Sequence, residues 1–553
     1  MVSTALLLAS ALSAASLIGS TLAATTEQWK SRSVYQVMTD RFARTDGSLT
    51  YPCNTTEGLY CGGTWRGTID MLDYIQGMNF DAVMISPIME NIAGRVSYGE
   101  AYHGYWPLDL YNLNSHFGTK QDLLDLSDAL HERGMYLLVD MVINNMAYIT
   151  NGSNPATTID YSVFTPFNNS DYFHKYCLIT DWNNYTDAQT CQTGDDIVAL
   201  PHLFTAHDDV QTLLEDWSKD IVATYGIDGL RIDAAKSVYP DFLPIYVDAV
   251  GGFMTGEVMD SRASIVCDYQ TNYLPSLPNY PLYYSIITAF TEGNISVLLE
   301  EINEIKKLCP DPAAMAVFTE NQDIIRFASA DDDMAIAKNA VAFTILFDGV
   351  SMIYQGQEQH LKGSSTPTNR EALWLAGYNT TSELYLLLKN LNAIRKHAYN
   401  LDNTYADQQS INIYQGGSEL AFWKGTYGRQ VIMVVNNQGV TGGAYDLILP
   451  QSYGAGAAVT EVLTCENYTV NDLSQLIVKM DAGLPRVFFP TAYMEGSGIC
   501  GYNYSNVTYS ELKLKNAGDS SSSSSLGATS TVAPSLLVSF LLSLMVGAFV
   551  GTA

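Results

Sequence analysis

Basic residues are scarce in this chain. Lys and Arg number 28 against 58 Asp and Glu, a net charge of −30 over 553 residues. Such a surface repels phosphate backbones, which argues against nucleic-acid partners. No internal repeat is visible, so the chain is not an array of small units. Cysteines are few, eight in all, and even in number. That fits disulfides formed in an oxidising compartment, and their order suggests local pairs, Cys53–Cys61, Cys177–Cys191, Cys267–Cys309 and Cys465–Cys500, although order alone leaves other pairings open. Charge is also missing from both terminal runs. Residues 5 to 23 are apolar and small, ending Ser20, Thr21, Leu22, Ala23, Ala24, the pattern of a signal peptide over 1–23. Pro534 to Ala553 is apolar and uncharged, with no basic residue to hold a cytoplasmic end. Behind a Ser-rich spacer over 511–533, this run reads as the propeptide of a GPI anchor, with attachment between Asn516 and Ser530.

Aromatics are plentiful, 36 Tyr among them. They suit stacking against sugar rings as well as they suit a β-rich secreted domain. Nine Asn-x-Ser/Thr sequons begin at Asn54, Asn151, Asn168, Asn184, Asn294, Asn379, Asn467, Asn503 and Asn506. With a signal peptide, they predict a glycosylated surface.

From about Ser33 to Ile394, short apolar runs alternate with amphipathic stretches. Seven runs read as strands: SVYQVMT, FDAVMISPI, MYLLVDMVI, DGLRIDA, GFMTGEV, MAVFTEN and VSMIYQG. KQDLLDLSDALHERG and DVQTLLEDWSKDIVATYG read as helices between them. Alternation on this scale predicts an α/β fold with a parallel sheet closed into a (β/α)₈ TIM barrel over 24–145 and 204–400. The long polar connection 146–203, with Cys177 and Cys191, reads as a subdomain inserted after the third strand. After about Asn400 short strand-like runs alternate with turns, which predicts a C-terminal all-β domain over 401–510.

Three carboxylates lie in or just after predicted core strands: Asp233 in GLRIDAAKS, Glu257 in FMTGEVMD and Asp323 in TENQDIIRF. A carboxylate at the end of a core strand is costly to bury and normally has a partner or a task. Barrel active sites occupy that end of the strands. Retaining cleavage of a glycosidic bond needs two carboxyls about 5–5.5 Å apart, one nucleophile and one acid/base. Asp233 suits the nucleophile, because Arg231 shares its strand face and would keep it ionised. Glu257 suits the acid/base, in a less charged pocket that raises its pKa. Asp323 would grip sugar hydroxyls as the ring flattens.

Over about Thr25 to Tyr509 the chain resembles the secreted fungal branch of the α-amylase family of glycoside hydrolases. The resemblance rests on TDRFARTDGS, CGGTWRGTID with LDYIQGM, AYHGYW, GLRIDAAK, GEV, TENQD, and YQGQEQH with NREALWL. It implies that Asp233 is the nucleophile, Glu257 the proton donor and Asp323 the transition-state stabiliser, acting on α-1,4-linked glucan. It also implies that Tyr105 stacks beneath the sugar beside His103 and Trp106, and that Arg231, Lys236 and Arg370 bind substrate or position carboxylates. The proposed cysteine pairs match the family's spacing.

Departures from the family pattern concentrate near the site. Asn145 and Gln322 stand where the family has histidines that bond the sugar. Amides still donate and accept, but they supply no cationic donor and no rigid ring. By the same resemblance, Asn144 fits a calcium ligand, whereas Gln189 and His202 replace a Glu and an Asp, and Ser237 replaces a His. Calcium wants several hard, preferably charged oxygens, so binding is expected to be weak or absent. Ser261 replaces a Gly and Thr366 an Asp.

Together with the anchor signal, Asn145 and Gln322 favour a 4-α-glucanotransferase that moves maltooligosaccharide segments in cell-wall α-glucan. The chain resembles the GPI-anchored, amylase-like glucanotransferases of filamentous fungi. The alternative is a surface-held α-amylase that mainly hydrolyses, and a third reading is a glucan-binding wall protein without catalysis. The implied partners are a glucan or maltooligosaccharide donor and acceptor and the plasma membrane. The chain is expected to act as a monomer at the outer membrane and cell wall.

Overall fold

The computed structural model describes residues 23–508, 510–513 and 515. The signal-peptide and anchor segments read from the sequence lie outside the described residues. Residues 23–508 fall within one compact unit; 510 onward belongs to a second, of which only a helical stub is described.

Seven strands form one parallel sheet: β1 (Ser33–Val37), β2 (Ala82–Ile85), β3 (Tyr136–Met141), β4 (Gly229–Ile232), β5 (Phe253–Gly256), β6 (Ala316–Val317) and β7 (Val350–Tyr354). Their order is β6-β7-β1-β2-β3-β4-β5. Both faces are covered, and every residue of β1, β2, β4, β5, β6 and β7 is buried. This is why these strands read as continuous apolar runs rather than alternations.

An eighth segment closes the barrel, and the seven runs read from sequence did not include it. Ser276 pairs with Thr255 of β5, and Pro278 pairs with Ala316 of β6, both parallel. Gly256 N–H donates to Ser276 O at 3.0 Å, and Ala316 N–H to Leu277 O at 2.9 Å. Pro275 precedes this segment and Pro278 is itself one of the paired residues; neither has a ladder donor, so the segment makes bridges and no strand.

The two helices read from sequence are present. Lys120–Glu132 starts on a Thr119–Asp122 capping box. Asp208–Tyr225 ends on Gly226 at φ +61°, the left-handed position that lacks a steric cost only for glycine. Within the barrel, Val34, Met84, Leu138, Phe253, Phe318 and Met352 join one apolar cluster. Residues two further along the same strand faces are polar: Gln36, Ser86 and Asp140. The interior thus changes from hydrocarbon to charge toward the strands' C-terminal ends.

The connection between β3 and Asp208 carries its own two-stranded pair, Tyr148–Ile149 with Val198–Ala199, and the Cys177–Cys191 disulfide. The other three cysteine pairs suggested by order are also formed. All nine sequon asparagines are exposed. After helix Glu383–Leu401 the chain is all β. Six strands lie in the order β8 (Ile411–Gln415), β9 (Glu419–Lys424), β10 (Val431–Asn436), β15 (Arg486–Pro490), β12 (Ala458–Glu461), β13 (Glu466–Thr469). A second pair, β11 (Tyr445–Leu449) with β14 (Leu476–Met480), packs on them through Ile432, Val434, Leu447, Val478 and Phe488.

Asp348, just before β7, ties this domain to the barrel. It accepts from Lys424 of β9 at 2.9 Å and from the Ser410 N–H at 2.8 Å, with Lys306 at 3.5 Å. Lys424 and Asp348 are both buried. Removing one member of a buried pair strands the other charge. Asp348→Ala is therefore expected to destabilise the fold by about 3–5 kcal/mol, read as a lower denaturant midpoint in equilibrium unfolding.

Candidate active site

The site is built on a register. Asp140 of β3 and Arg231 of β4 are direct neighbours in the parallel ladder. Both are buried, and Asp233 follows Arg231 by two residues on the same face. The guanidinium of Arg231 contacts three carboxylates. Nη1 donates to Asp140 Oδ1 at 2.9 Å and Asp233 Oδ1 at 2.6 Å, and Nη2 lies 2.9 Å from Glu257 Oε1. Asp233 and Glu257, predicted separately from β4 and β5, are thus held on one cation at the same end of the barrel. Asp140 was missed by the sequence reasoning. Its signal was there: a carboxylate inside MYLLVDMVI, the criterion that picked out the other three.

Glu257 does not sit in a less charged pocket, contrary to expectation, because it shares Arg231 with two other anions. Its Oε1 also accepts from the Tyr280 hydroxyl at 3.1 Å and its Oε2 from the Ala234 N–H at 3.2 Å. Ala234 has φ +46°, a left-handed conformation that a residue with a Cβ adopts at a cost. That turn aims its N–H at Glu257 immediately after Asp233.

The expectation that Arg231 keeps Asp233 readily ionised is also corrected. Burial pushes Asp233 up to about 8, with the charges of Glu257 and Asp140 adding to the effect and Arg231 opposing it. Burial likewise lifts Asp140 to about 6 against Arg231. One guanidinium cannot neutralise three carboxylates, so the cluster retains a proton near neutrality.

Asp323 lies across the cleft on Arg370, Oδ1 to Nη2 2.9 Å, and burial raises its pKa while Arg370 lowers it. Tyr105 donates to Asp140 Oδ2 at 2.7 Å. His103 stacks on Tyr105 and meets Trp106 edge-on. Burial, then the charges of Arg370 and Arg41, hold His103 well below the usual imidazole pKa. Its Nδ1 accepts from the Tyr105 N–H at 3.0 Å, which leaves the proton on Nε2 of a neutral donor. Lys236 is buried and paired with Asp260 at 3.1 Å. Asp260, despite burial, is drawn down to about 2 by Arg262 and Lys236.

Asp233, Glu257, Asp323, Lys236, Arg370 and Asn145 line one cleft of about 650 Å³, together with His103, Tyr105 and Trp106. Trp182, Thr193 and Leu200, from the connection after β3, form its other wall. Trp182 is 49% exposed, and no sequence signal had selected it. Gln322 does not join the lining. It is buried, and its Nε2 donates to the Tyr105 hydroxyl at 3.0 Å while its Oε1 accepts from Gln36. Asn145 does face the cleft, with Nδ2 3.2 Å from Met146 O.

The three predicted calcium residues are placed differently. His202 Nε2 lies 2.7 Å from Asn144 Oδ1 and 3.0 Å from Ser237 O. Burial holds His202 down to about 4. Gln189 hydrogen-bonds the Tyr269 hydroxyl. Among the described residues no group of three or more His, Cys, Asp or Glu side chains is arranged to hold a metal ion.

The raised carboxylates make a stability prediction. The unfolded chain releases these protons near pH 4; the folded chain keeps the Asp233 proton to about pH 8. Between those values the native state binds more protons, so stability falls as pH rises. Asp40 and Glu358, both lifted by burial to about 7, act in the same direction. Calorimetry should show Tm declining from pH 4.5 to pH 8. Asp233→Asn should reduce that decline and leave the variant more stable than the wild type at pH 8, by on the order of 2 kcal/mol.

Comparisons with known proteins agree with this architecture. The family description "Alpha amylase, catalytic domain" matches residues 36–379, and "Alpha-amylase, domain C" matches 412–508. "Alpha-amylase 1" of Lipomyces kononenkoae is 47% identical over 479 residues, 86% of this chain and 76% of that protein. "Alpha-amylase 2" of Schwanniomyces occidentalis is 43% identical over 476 residues, 86% of this chain and 93% of that one. The solved α-amylase of Malbranchea cinnamomea superimposes with a TM-score of 0.83 at 44% identity, covering 86% of this chain and all of that one. A parallel barrel with a cluster of carboxylates at its C-terminal end, a β domain behind it and relatives at this level have one reading: the chain belongs to the α-amylase family of glycoside hydrolases, which act on α-1,4-linked glucans.

Proposed function

We propose that this protein is a retaining enzyme of α-1,4-glucan that works through a glycosyl ester on Asp233, and that hydrolysis is its main outcome. The observation that carries the mechanism is the shared guanidinium: Asp233 and Glu257 both bond Arg231 and both line one cleft. Two carboxyls held that closely suit a double displacement better than an inverting reaction, which needs room for a water between them.

In the first step Asp233 Oδ attacks the anomeric carbon as the glycosidic C–O bond breaks. Glu257 gives its proton to the departing oxygen. In the second, Glu257 takes a proton from an incoming hydroxyl, whose oxygen bonds the anomeric carbon and releases Asp233. The productive state needs the cluster's proton on Glu257 and the charge on Asp233. Arg231 bonds both and stabilises either distribution. Asp323, fixed by Arg370, binds sugar hydroxyls from the facing side. Tyr105, oriented by Asp140 and Gln322, offers a ring to the sugar.

The relatives are named α-amylases, which supports water as the acceptor over the transfer reaction preferred from the sequence. Transfer to a second glucan is the second reading. It is favoured by Asn145 facing the cleft and Gln322 committed to protein partners, so that neither supplies a cationic donor, and by the exposed indole of Trp182 at the cleft mouth as a platform for an acceptor sugar. The four disulfides fit an extracellular protein. The uncharged run 534–553 behind its Ser-rich spacer supports attachment at the outer face of the plasma membrane.

Incubation with one pure maltooligosaccharide, with products followed by length, separates the readings. Hydrolysis yields only shorter chains; transfer yields chains longer than the substrate; an unchanged substrate would defeat the enzymatic proposal. Glu257→Gln should lower kcat by about 10²–10⁴-fold, measured on the same oligosaccharide, with the fold retained by circular dichroism. Activity within a few-fold of wild type would remove Glu257 from the acid/base role.

A further inference from the structure

The family's calcium position, as the sequence resemblance maps it, is spanned by Asn144, Gln189, His202 and Ser237. The geometry there does not fit a hard divalent cation, which seeks six to eight oxygens, several of them charged. Gln189 is neutral and engaged with Tyr269. The two oxygens that converge, Asn144 Oδ1 and Ser237 O, converge on a nitrogen.

That nitrogen is His202 Nε2. A backbone carbonyl only accepts, so the 3.0 Å contact with Ser237 O requires Nε2 to carry the hydrogen. The same N–H is then shared with Asn144 Oδ1 at 2.7 Å. Asn144, His202 and Ser237 are all buried. Around them the backbone is tied in the same sense. Leu203 N–H donates to Asn144 O at 2.9 Å, and His174 N–H to His202 O at 2.9 Å. The imidazole of His174 stacks on that of His202 with centroids 4.9 Å apart.

We propose that the His202 imidazole stands in for the calcium ion: its Nε2–H is a metal-free cross-link joining Asn144, just after β3, His202, near the far end of the connection that follows, and Ser237 in the loop after β4. A cation ligated by both oxygens would meet this hydrogen, so imidazole and metal exclude one another. The cross-linked loop carries Lys236 and, two residues earlier, Ala234 with its N–H on Glu257. The wall of the cleft and the floor beneath Asp233 are therefore coupled without an ion. The inference is independent of whether water or a sugar hydroxyl resolves the intermediate.

The test is the melting temperature of the full folded protein in excess EDTA and in millimolar calcium chloride, with metal content by mass spectrometry after calcium loading and gel filtration. The wild type should melt at the same temperature in both, within about 1 °C, and retain only substoichiometric calcium. One calcium per chain, or a clear drop in Tm with EDTA, would overturn the proposal. The double variant His202→Asp with Gln189→Glu removes the N–H and restores two carboxylates. It should melt below wild type in EDTA and regain stability with added calcium. A folded double variant that is indifferent to calcium would also count against it, because the imidazole would then not occupy a cation's position. If that variant does not fold, the wild-type metal content and EDTA response decide the matter alone.

Discussion

The site depends on one guanidinium. Arg231 is buried among Asp140, Asp233 and Glu257, and among the described residues no other Lys or Arg forms an ion pair with these three. Replacing a buried ion cluster by hydrocarbon is often neutral or stabilising, so such a cluster is a poor device for stability. Its merit is chemical. In the mechanism proposed above, Asp233 is charged and then esterified while Glu257 gives a proton in the first step and takes one in the second, and one cation holds the two side chains together. Asp140 is not among the residues that line the cleft. It fixes Arg231 from one side and the Tyr105 hydroxyl from the other.

Around this centre the protein spends stability to hold geometry. Ala234 accepts a left-handed backbone so that its N–H reaches Glu257. The apolar layer lower in the barrel, with Leu138 beneath Asp140 on the same strand face, supplies the rigid base on which that strain is held. The connection after β3 completes the cleft. It is attached to the barrel through Asn144, His202 and Ser237, so the same segment that lines the cleft with Trp182 and Leu200 is fastened beside the loop that carries Asp233.

Much of the fold was legible because parallel strands buried on both faces leave unbroken apolar runs, and because capped amphipathic helices separate them. The segment Ser276–Pro278 was not legible: it is three residues long, bounded by prolines, and its pairing exists only because β5 and β6 present edges on both sides. The three carboxylates were legible by the cost of burying them. Asp140 obeyed the same rule and was passed over. Gln322 was read as a sugar contact from its place in the motif, whereas its amide is taken up by Tyr105 and Gln36, a partner nearly three hundred residues away in sequence.

The sequence by itself determined what is set by local pattern and composition: the periodicity that makes strands and helices, the order of the cysteines, the surplus of negative charge, and which acidic residues fall at strand ends. Only the tertiary structure decided how charge is shared. Which carboxylates meet one guanidinium, which of them burial drives to keep a proton, and that an imidazole reaches both Asn144 and Ser237 all depend on separations of a few ångströms between distant segments. Electrostatic and desolvation energies vary steeply over such distances, and no spacing along the chain encodes them.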